Sequence, residues 1–224
     1  MKAIISVYYK EGVEELAYAL KEAGYELVSS GGTADYLRRK GLEVVEVEDI
    51  TKFPEIFDGR VKTLHPVIHG GILMRDWVEK DKEDANRLGI EPIGAVVVNL
   101  YPFEEKFFEG LEERELMEFI DVGGPALLRA SAKNFYRVLV VCDPEDYGWV
   151  AQKLREGSIS LKDRKYLALK AFSMTAYYDS LISRALSDLF EIDGIFPKFA
   201  IPVKSLGELR YGENPHQRAW LLEN

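Results

Sequence analysis

Apolar runs and amphipathic segments alternate along the first half of the chain. The apolar run Ala3 to Val7 is rich in β-branched residues and predicts a buried strand. Val13, Leu16, Ala17 and Leu20 follow at the spacing of an amphipathic helix. The same patterns predict further strands at 25–28, 42–47, 93–100 and 138–141, and helices at 34–40, 77–88, 111–119 and 125–133. Strands that alternate with helices favour a parallel sheet covered by helices.

Three stretches depart from this alternation. Residues 49–71 contain prolines, glycines and two of the three histidines, and they predict a long loop of the kind that often carries function. Residues 161–189 predict one almost continuous helix with aromatic side chains. From Ile195 the pattern breaks up at prolines and glycines, and the chain stops shortly after a motif-like stretch. We therefore expect a further segment downstream.

Composition narrows the class of protein. A net charge of −9 over 224 residues argues against bulk nucleic-acid binding, although it leaves room for a small basic pocket. The 47% apolar share supports a real core. No apolar run approaches the roughly 18 residues of a membrane span, and the N-terminus lacks the apolar stretch of a signal peptide, so we expect a cytoplasmic location. Cys142 is the only cysteine, which excludes an internal disulfide and a cysteine-built zinc site.

A glycine-rich turn, SSGGT at 29–33, follows the second predicted strand. Glycines let the backbone approach a ligand, and free N–H groups at a helix start can cradle a phosphate beside nearby hydroxyls. An ordinary capped helix start is an equal alternative, because Ser and Thr are common N-caps and two glycines are a weak form of the motif.

The predicted loop at 49–71 carries the basic candidates. Arg60 and Lys62 alternate, so in an extended backbone they face one side and, with Thr63, could clamp a phosphate or polarise a carbonyl. A solvated polar loop is the plain alternative. His65 and His69 have the i, i+4 spacing of metal ligands on a helix, but the neighbouring proline and glycines argue against a helix there. We therefore expect no metal site.

Two further groups stand at predicted strand and helix ends. Asn99 and Tyr101 end the fourth predicted strand, and ligands of parallel sheets bind beyond the carboxyl ends of strands. Asp121 precedes a helix, where it could act as a general base beside N–H groups of 122–124 that face an oxyanion. Lys133 stands near the end of that apolar helix, where burial would perturb an amine. A turned strand end, an Asp N-cap and a surface lysine are the plain alternatives.

Four long motifs, in this order, carry a resemblance to a known family. They are SSGGTA, FPEIFDGRVKTLHPVIHGGIL, VVVNLYPF and IDVGGPALLRASAKN. From about Ile4 to its last residue, the chain resembles the IMP cyclohydrolase domain at the N-terminus of the bifunctional purine biosynthesis protein, whose partner activity is AICAR formyltransferase. RYGENPHQ at 210–217 resembles the opening of the formyltransferase domain, of which only about fifteen residues are present.

The resemblance implies a methylglyoxal-synthase-like three-layer α/β domain, with a central mainly parallel sheet and a C-terminal helical extension. Residues 1–145 would form the methylglyoxal-synthase-like cyclohydrolase core, and 146–194 a helical extension of the same domain. Residues 195–224 would be a linker and the truncated start of the AICAR formyltransferase domain, so the formyltransferase half would be absent or incomplete in this chain.

The implied function is that of an IMP cyclohydrolase, the last step of de novo purine biosynthesis. The carboxamide nitrogen of formyl-AICAR attacks the formamido carbon, the ring closes, and water leaves to give IMP. The implied reaction needs no cofactor and no metal, because holding the reactive conformer of an intramolecular reaction supplies much of the rate gain. What remains is to move protons and to stabilise an oxyanion.

The family pattern also assigns roles to residues. The phosphate would bind Ser30, Gly32 and Thr33, with Ser6 and Lys10 contributing from the first loop. In the chemistry, Lys62 would polarise the formyl oxygen beside Arg60 and Thr63, and Asp121 would remove or orient the carboxamide proton. The backbone of Val122 and Gly123 would bind the oxyanion. A proton relay would run through Lys133 and Tyr101, and Asn99 would position the base.

The first loop departs from the family pattern. The family reads SVSDKTG, whereas residues 6–12 here read SVYYKEG. Tyr8 and Tyr9 replace two small polar residues, which removes a hydroxyl or carboxylate contact near the ligand. Lys10 and Gly12 keep their places, so we expect altered phosphate contacts and not loss of the site.

Two other functions use this kind of core. A phosphometabolite-binding regulatory domain, as in a carbamoyl phosphate synthetase, would need the SSGGT turn but not Lys62, Asp121 and Lys133 together. Methylglyoxal synthase, which acts on a triose phosphate, is disfavoured by the RVKTLHP and LYPF stretches. The longer protein of the family is a homodimer. We expect this chain alone to be a monomer or a weak dimer that binds a small-molecule nucleotide, with no nucleic acid and no membrane.

Overall fold

The computed structural model describes residues 1–192, 196–210, 212–214 and 216–223. Five strands form one parallel sheet in the order β3-β2-β1-β4-β5. Their bounds are β1 Lys2–Val7, β2 Glu26–Ser29, β3 Val45–Glu46, β4 Ile93–Asn99 and β5 Leu139–Val141. The predicted class, an α/β domain around a mainly parallel sheet, is confirmed.

Helices connect and cover these strands. Their bounds are α1 Val13–Glu22, α2 Gly31–Arg39, α3 Val47–Thr51, α4 Pro66–Leu73, α5 Glu79–Leu88, α6 Phe103–Phe108, α7 Glu113–Met117, α8 Gly123–Lys133, α9 Tyr147–Arg155 and α10 Leu161–Leu189. Short 3₁₀ turns occupy Phe57–Gly59 and Pro144–Asp146.

The sheet is buried because its inner strands are apolar on both faces. Ala3, Ile4 and Ile5 of β1 are fully buried, and every residue of β4 is buried. Parallel strands carry such continuous apolar runs since crossover helices cover both faces of the sheet. Here α1 packs against α9, and α8 packs against both β4 and α10. The core therefore lies between the sheet and its flanking helices.

The topology brings the ends of three strands to one edge of the sheet. Val7 at the end of β1 pairs in register with Asn99 at the end of β4, and β2 pairs with β1 on its other side. The loop after β1, the start of α2 after β2 and the segment after β4 therefore lie side by side. Ligands of parallel sheets bind at this edge.

The loop predicted at 49–71 is confirmed over 52–65, which holds one short 3₁₀ turn, but is wrong at both ends, because 49–51 belong to α3 and 66–71 form most of α4. Pro66 occupies the first helical position of α4, where its missing N–H has no helical partner to lose. Ile68 and Ile72 are fully buried and hold the helix on the core. A Cβ on Gly71 would lie 2.5 Å from the carbonyl oxygen of Glu91, so this glycine serves close packing and does not break the helix.

Other elements also differ from the sequence prediction. The helix predicted from residue 34 begins at Gly31, so the glycines of the SSGGT turn form its first turn. The strand predicted at 42–47 is confined to Val45–Glu46, because α3 begins at Val47. The helix α6 was not predicted. In contrast, the long helix predicted at 161–189 is confirmed with both ends, and a capping box between Ser160 and Asp163 marks its start.

The C-terminal segment forms an antiparallel hairpin that was not predicted. Its strands are β6 Lys204–Leu209 and β7 Ala219–Glu223, and they carry exposed apolar side chains such as Leu206 and Trp220. Ile195, where the pattern breaks, and Tyr211 and Pro215 of the RYGENPHQ stretch lie outside the described residues. Of the helices in the described ranges, none has the length and apolar character needed to cross a membrane.

Candidate active site

A cleft of about 760 Å³ opens at the edge of the sheet where the strands end. Its walls come from the first loop after β1, the start of α2, the segment 59–64 and the segment 117–124. The predicted site residues that line it are Ser6, Lys10, Ser30, Gly32, Thr33, Arg60, Lys62, Thr63, Asn99, Tyr101, Asp121, Val122 and Gly123. Residues from four distant parts of the chain thus meet in one cleft.

The start of α2 forms one end of the cleft. Ser30 is the N-cap, and the first helical hydrogen bond runs from the N–H of Ala34 to the carbonyl of Ser30. The three N–H groups between them precede the helical pattern and point out of the helix end. Lys62 Nζ lies near them, 3.2 Å from the place that a Cβ on Gly31 would occupy. The positive helix end and this ammonium favour an anion.

Two side chains expected to bind phosphate have different surroundings. The Thr33 hydroxyl donates to the Val7 carbonyl at 3.0 Å and accepts the Val7 N–H at 3.3 Å, so it ties α2 to the end of β1. Lys10 Nζ donates to the Tyr8 carbonyl at 3.0 Å, and its Cε lies 3.7 Å from the Cβ position of Gly32. Lys10 therefore brings an ammonium group to the start of α2. Thr33 can offer its backbone N–H to an anion there.

Asn99 fastens the first loop to the end of β4. Its Oδ1 accepts the N–H groups of Tyr8 at 2.6 Å and Tyr9 at 3.1 Å. Its Nδ2 donates to the Tyr9 carbonyl at 2.8 Å and to the Tyr147 hydroxyl at 3.3 Å. An amide side chain has two lone pairs and two N–H donors, so the full capacity of Asn99 is used within the protein. Asn99 shapes the cleft by holding the loop.

The two tyrosines of the first loop point in different directions. The Tyr8 ring lines the cleft, with its centroid 5.7 Å from that of Tyr101. The Tyr9 hydroxyl instead hydrogen-bonds to Glu105 of α6. The departure from the family pattern therefore puts one aromatic side chain into the cleft and anchors the other outside it.

Arg60 and Lys62 lie in the cleft, and each is paired with a carboxylate. Lys62 Nζ is 3.0 Å from Glu55. The Arg60 guanidinium donates twice to Glu118, with its Nε at 3.1 Å. The Arg60 and Glu118 side chains are 63% and 59% exposed, so water weakens this pair. A bound anion can replace such partners at small energetic cost.

Asp121 precedes α8, and its carboxylate is turned toward the backbone. Its Oδ1 accepts the N–H of Gly124 at 2.7 Å, and the N–H groups of Tyr101 and Gly123 also point to the carboxylate. A Cβ on Gly124 would collide with this carboxylate and lie 2.8 Å from Leu100, so only glycine allows the approach. Burial raises the pKa of Asp121, although the three N–H groups act to lower it. A raised pKa makes the carboxylate a stronger base.

The corner expected to bind an oxyanion is arranged differently. The Gly123 and Gly124 N–H groups are directed to the Asp121 carboxylate. Val122 is exposed, and the Thr63 hydroxyl oxygen lies 3.3 Å from the Cβ position of Gly123. A negative charge that develops here would meet the Thr63 hydroxyl beside these glycines.

Tyr178 holds the Asp121 backbone and was missed by the sequence prediction. This buried side chain of α10 accepts the Asp121 N–H at 2.8 Å and donates to the Phe119 carbonyl at 2.9 Å. Its ring lies edge-on to Phe103, with centroids 6.4 Å apart. The one signal in the sequence that could have indicated Tyr178 was general, because any buried tyrosine hydroxyl needs hydrogen-bond partners. The long helix therefore fixes the loop that carries the candidate base.

Tyr101 stands just past the end of β4 with its side chain partly exposed to the cleft. Burial raises the pKa of the Tyr101 hydroxyl, and the negative charge of Asp121 raises it further. The phenol therefore stays protonated at neutral pH, when it can donate a proton.

Lys133 is the one predicted site residue that the structure does not bring to the cleft. It is exposed on the last turn of α8, about 15 Å along the helix from the end beside Asp121. The expectation of a buried, perturbed amine is therefore corrected to a surface lysine. His65 caps α4, and its Nδ1 accepts the Val67 N–H at 3.2 Å. Within the described part of the chain, no cluster of three or more His, Cys, Asp or Glu side chains is arranged to hold a metal ion.

Comparisons with known proteins match both halves of the chain. A family model described as "MGS-like domain" matches residues 12–126, and one described as "AICARFT/IMPCHase bienzyme" matches residues 131–224. A solved structure, "Crystal structure of ForH", superposes with a TM-score of 0.75 at 35% identity, covering 84% of this chain and 97% of that one.

Two curated relatives are long proteins that this chain matches in part. The bifunctional purine biosynthesis protein PurH of Aquifex aeolicus is 64% identical over 224 residues, which are 100% of this chain and 44% of the relative. The PurH protein of Persephonella marina is 53% identical over 221 residues, with 97% and 43% covered. The chain therefore spans less than half the length of these relatives.

Proposed function

This chain belongs to the MGS-like domain family, and we propose that it catalyses the IMP cyclohydrolase reaction, which closes formyl-AICAR to IMP with loss of water. One observation carries the proposal. The N-terminal end of α2, with its free N–H groups, and the Asp121 side chain line the same cleft. The names of the two relatives, which are purine biosynthesis proteins, support this choice of substrate.

The 5′-phosphate of the nucleotide would bind at the start of α2. The outward N–H groups of Gly32 and Thr33 lie there with the Lys10 ammonium near Gly32, and Ser6 and Ser30 also line the cleft. Although the chain carries a net charge of −9, Lys10 and Lys62 bring two ammonium groups to this end of the cleft. The fixed phosphate would orient the carboxamide and formamido groups toward Asp121.

In the first step, the carboxamide nitrogen attacks the formamido carbon and forms the C–N bond that closes the ring. Asp121 accepts the proton that this nitrogen loses. The formyl C=O double bond opens, and its oxygen gains negative charge and then takes up the proton that Asp121 accepted. Lys62, once it leaves Glu55, and the Thr63 hydroxyl would stabilise that charge. Because both reacting groups belong to one molecule, orientation supplies much of the acceleration.

In the second step, the new hydroxyl leaves with a proton as water. The ring nitrogen that came from the formamido group gives up a proton, which restores the Tyr101 phenol, so the sum is formyl-AICAR to IMP plus water. Tyr101, protonated and exposed to the cleft, would deliver the proton to the leaving hydroxyl. These steps use side chains of the cleft alone, and Lys133 has no part in them.

The test is turnover by the purified chain. Formyl-AICAR would be added in buffer with a metal chelator, and IMP would be followed by ultraviolet absorbance. We expect product, and we expect the Asp121→Asn variant to bind IMP without forming it. Tight IMP binding without turnover by the unchanged chain would favour a regulatory domain. Turnover of dihydroxyacetone phosphate in place of formyl-AICAR would favour a methylglyoxal synthase.

We extend the proposal to the oligomeric state, the binding partner and the cellular location of the chain. A monomer or weak dimer is expected in sedimentation velocity, and a tight dimer at low micromolar concentration would contradict this. A small-molecule nucleotide is the expected partner, and a cytoplasmic location is proposed. The one cysteine, Cys142, is free and buried, which suits a reducing compartment.

A further inference from the structure

We propose that Tyr8 contacts the substrate, and that its ring, which is tilted by 59° to the neighbouring ring of Tyr101, stacks on the flat heterocycle of the bound nucleotide. This inference rests on the proposed function, since it adds one contact to the same cleft. It assigns a role to the position at which the first loop departs from the family pattern.

The place of Tyr8 in the cleft is the first argument. The Tyr8 carbonyl accepts a hydrogen bond from the Lys10 ammonium, which lies beside Gly32 at the end of the cleft proposed to bind the phosphate. Its ring neighbours Tyr101, whose N–H points to the Asp121 carboxylate at the reacting end. A nucleotide held at both ends must therefore lay its sugar and heterocycle across the middle, where the Tyr8 ring lies.

The second argument is that the Tyr8 ring is held in place before any ligand binds. Asn99 fixes the Tyr8 N–H at 2.6 Å, and Lys10 fixes its carbonyl at 3.0 Å. The Tyr9 ring packs edge-on to it, with the ring centroids 5.1 Å apart. Little side-chain freedom is then lost on binding, which favours affinity.

The third argument is a contrast between neighbours. Tyr8 and Tyr9 are 39% and 37% exposed, so neither is a core residue. Tyr9 uses its hydroxyl in a bond to α6, and Tyr8 presents its ring to the cleft. Stacking on an aromatic face recognises any flat base and needs no hydrogen bond from it. Tyr9 is therefore a matched control for Tyr8.

The experiment measures Kd by calorimetry for two ligands, IMP and ribose 5-phosphate, which share the phosphate and sugar. For Tyr8→Ala we expect the Kd for IMP to rise by about tenfold or more, the usual effect of losing one base stack. The Kd for ribose 5-phosphate should stay within about twofold, since the heterocycle is missing from that ligand. Tyr8→Phe keeps the ring and should bind both ligands as the unchanged chain does. Tyr9→Phe should change neither Kd.

Equal weakening of both ligands in Tyr8→Ala would overturn the inference, because it would place Tyr8 at the phosphate. An unchanged Kd for IMP in Tyr8→Ala would overturn it as well. Either result, with formyl-AICAR turnover intact in the unchanged chain, leaves the proposed function standing. Failure of the unchanged chain both to bind IMP and to turn over formyl-AICAR would overturn the two proposals together.

Discussion

On the α8 side of the cleft, the Asp121 carboxylate accepts backbone N–H groups, and its own N–H is held by Tyr178. On the 59–64 side, Arg60 and Lys62 rest on the carboxylates of Glu118 and Glu55, in partly or fully exposed pairs. The Asp121 carboxylate is thus fixed by main-chain N–H groups, and its backbone is fixed by the buried Tyr178 hydroxyl. The positive groups are held by side chains that water and ligands can replace.

The difference matches the tasks proposed for the two sides. Proton transfer requires a base at a fixed distance and angle, which the rigid surroundings of Asp121 provide. A cation that receives a substrate oxygen must be available when the substrate arrives. Exposed pairs contribute little to stability, so Arg60 and Lys62 can change partners readily.

Removing the fixed base should have the largest effect. We expect Asp121→Asn to lower kcat by about 10²- to 10⁴-fold, the range for loss of a general base. The Kd for IMP should stay within about threefold, because the phosphate end is untouched. Stopped-flow turnover and calorimetry measure the two quantities. A variant that keeps more than a tenth of the turnover would show that Asp121 is not the base.

A variant that loosens the loop holding Asp121 should have the next largest effect on kcat. Tyr178→Phe removes the hydroxyl that holds the Asp121 loop, and we expect kcat to fall about tenfold to a hundredfold as the alignment is lost. Water admitted to the loop should lower the raised pKa of Asp121. The acid limb of the kcat/KM profile would then move to lower pH, since activity needs the ionised carboxylate.

The control for that variant is Tyr177→Phe. Tyr177 is the next residue of α10, and its hydroxyl bonds to Glu104 at 3.0 Å, away from the Asp121 loop. It should leave both kcat and the pH profile unchanged. An unshifted profile in Tyr178→Phe, with kcat reduced only in proportion to lost folded protein, would mean that Tyr178 is structural and does not position the base.

The pH dependence of stability tests the burial of Asp121 directly. Burial raises its folded pKa above the unfolded value, so its contribution to stability is present at low pH and is lost as pH rises through the folded pKa. Asn at this position does not ionise. The free energy of unfolding of Asp121→Asn, relative to the unchanged chain, should therefore rise with pH above about 4. Urea titrations at several pH values measure it, and a falling difference would contradict the sign.

Freeing a cation should have a smaller effect, of opposite direction. In Glu118→Gln, Arg60 loses its carboxylate partner, and we expect KM for formyl-AICAR to fall by up to about fivefold, since exposed pairs contribute at most about 1 kcal/mol. The rate constant kcat should not change. Glu22→Gln, which removes a partner of Arg155 outside the cleft, is the control. A raised KM in Glu118→Gln would mean that Glu118 holds Arg60 in its binding position.

Removing Lys133 should have the smallest effect. Its distance from the cleft predicts kcat and KM within about twofold of the unchanged chain in Lys133→Ala. Steady-state kinetics would measure both. A loss as large as that of Asp121→Asn would restore Lys133 to the proton relay that the family resemblance implies.

The inner strands and the long helix were predictable because patterns local to each segment mark them. Residues 93–99 are apolar on both faces, and α10 has a capping box and a sustained helical pattern. The helix α4 was missed, since proline and paired glycines usually end helices and only the close approach of Glu91 explains Gly71. The β6–β7 hairpin was missed because its apolar side chains face outward and give no buried pattern.

The residues of the cleft were found through motifs, but their surroundings were not. Nothing in the order of residues indicates that the Asn99 amide bonds to the first loop and to Tyr147, or that the Tyr8 ring enters the cleft and the Tyr9 ring does not. Lys133 was misplaced because a motif fixes distance along the chain and not distance in space. Tyr178 lies 57 positions after Asp121, beyond the reach of any local pattern.

The hydrogen bonds of Asn99 also set the order in which the site can assemble. They join residues 90 and 91 positions apart, so the first loop gains its shape only after β4 has been made and paired with β1. Such long closures are slow steps in folding. The Asp121 loop becomes fixed later still, because its hydrogen-bond partner Tyr178 lies on α10, further along the chain. On the ribosome, the first residues of the site to be synthesised would therefore be among the last to become ordered.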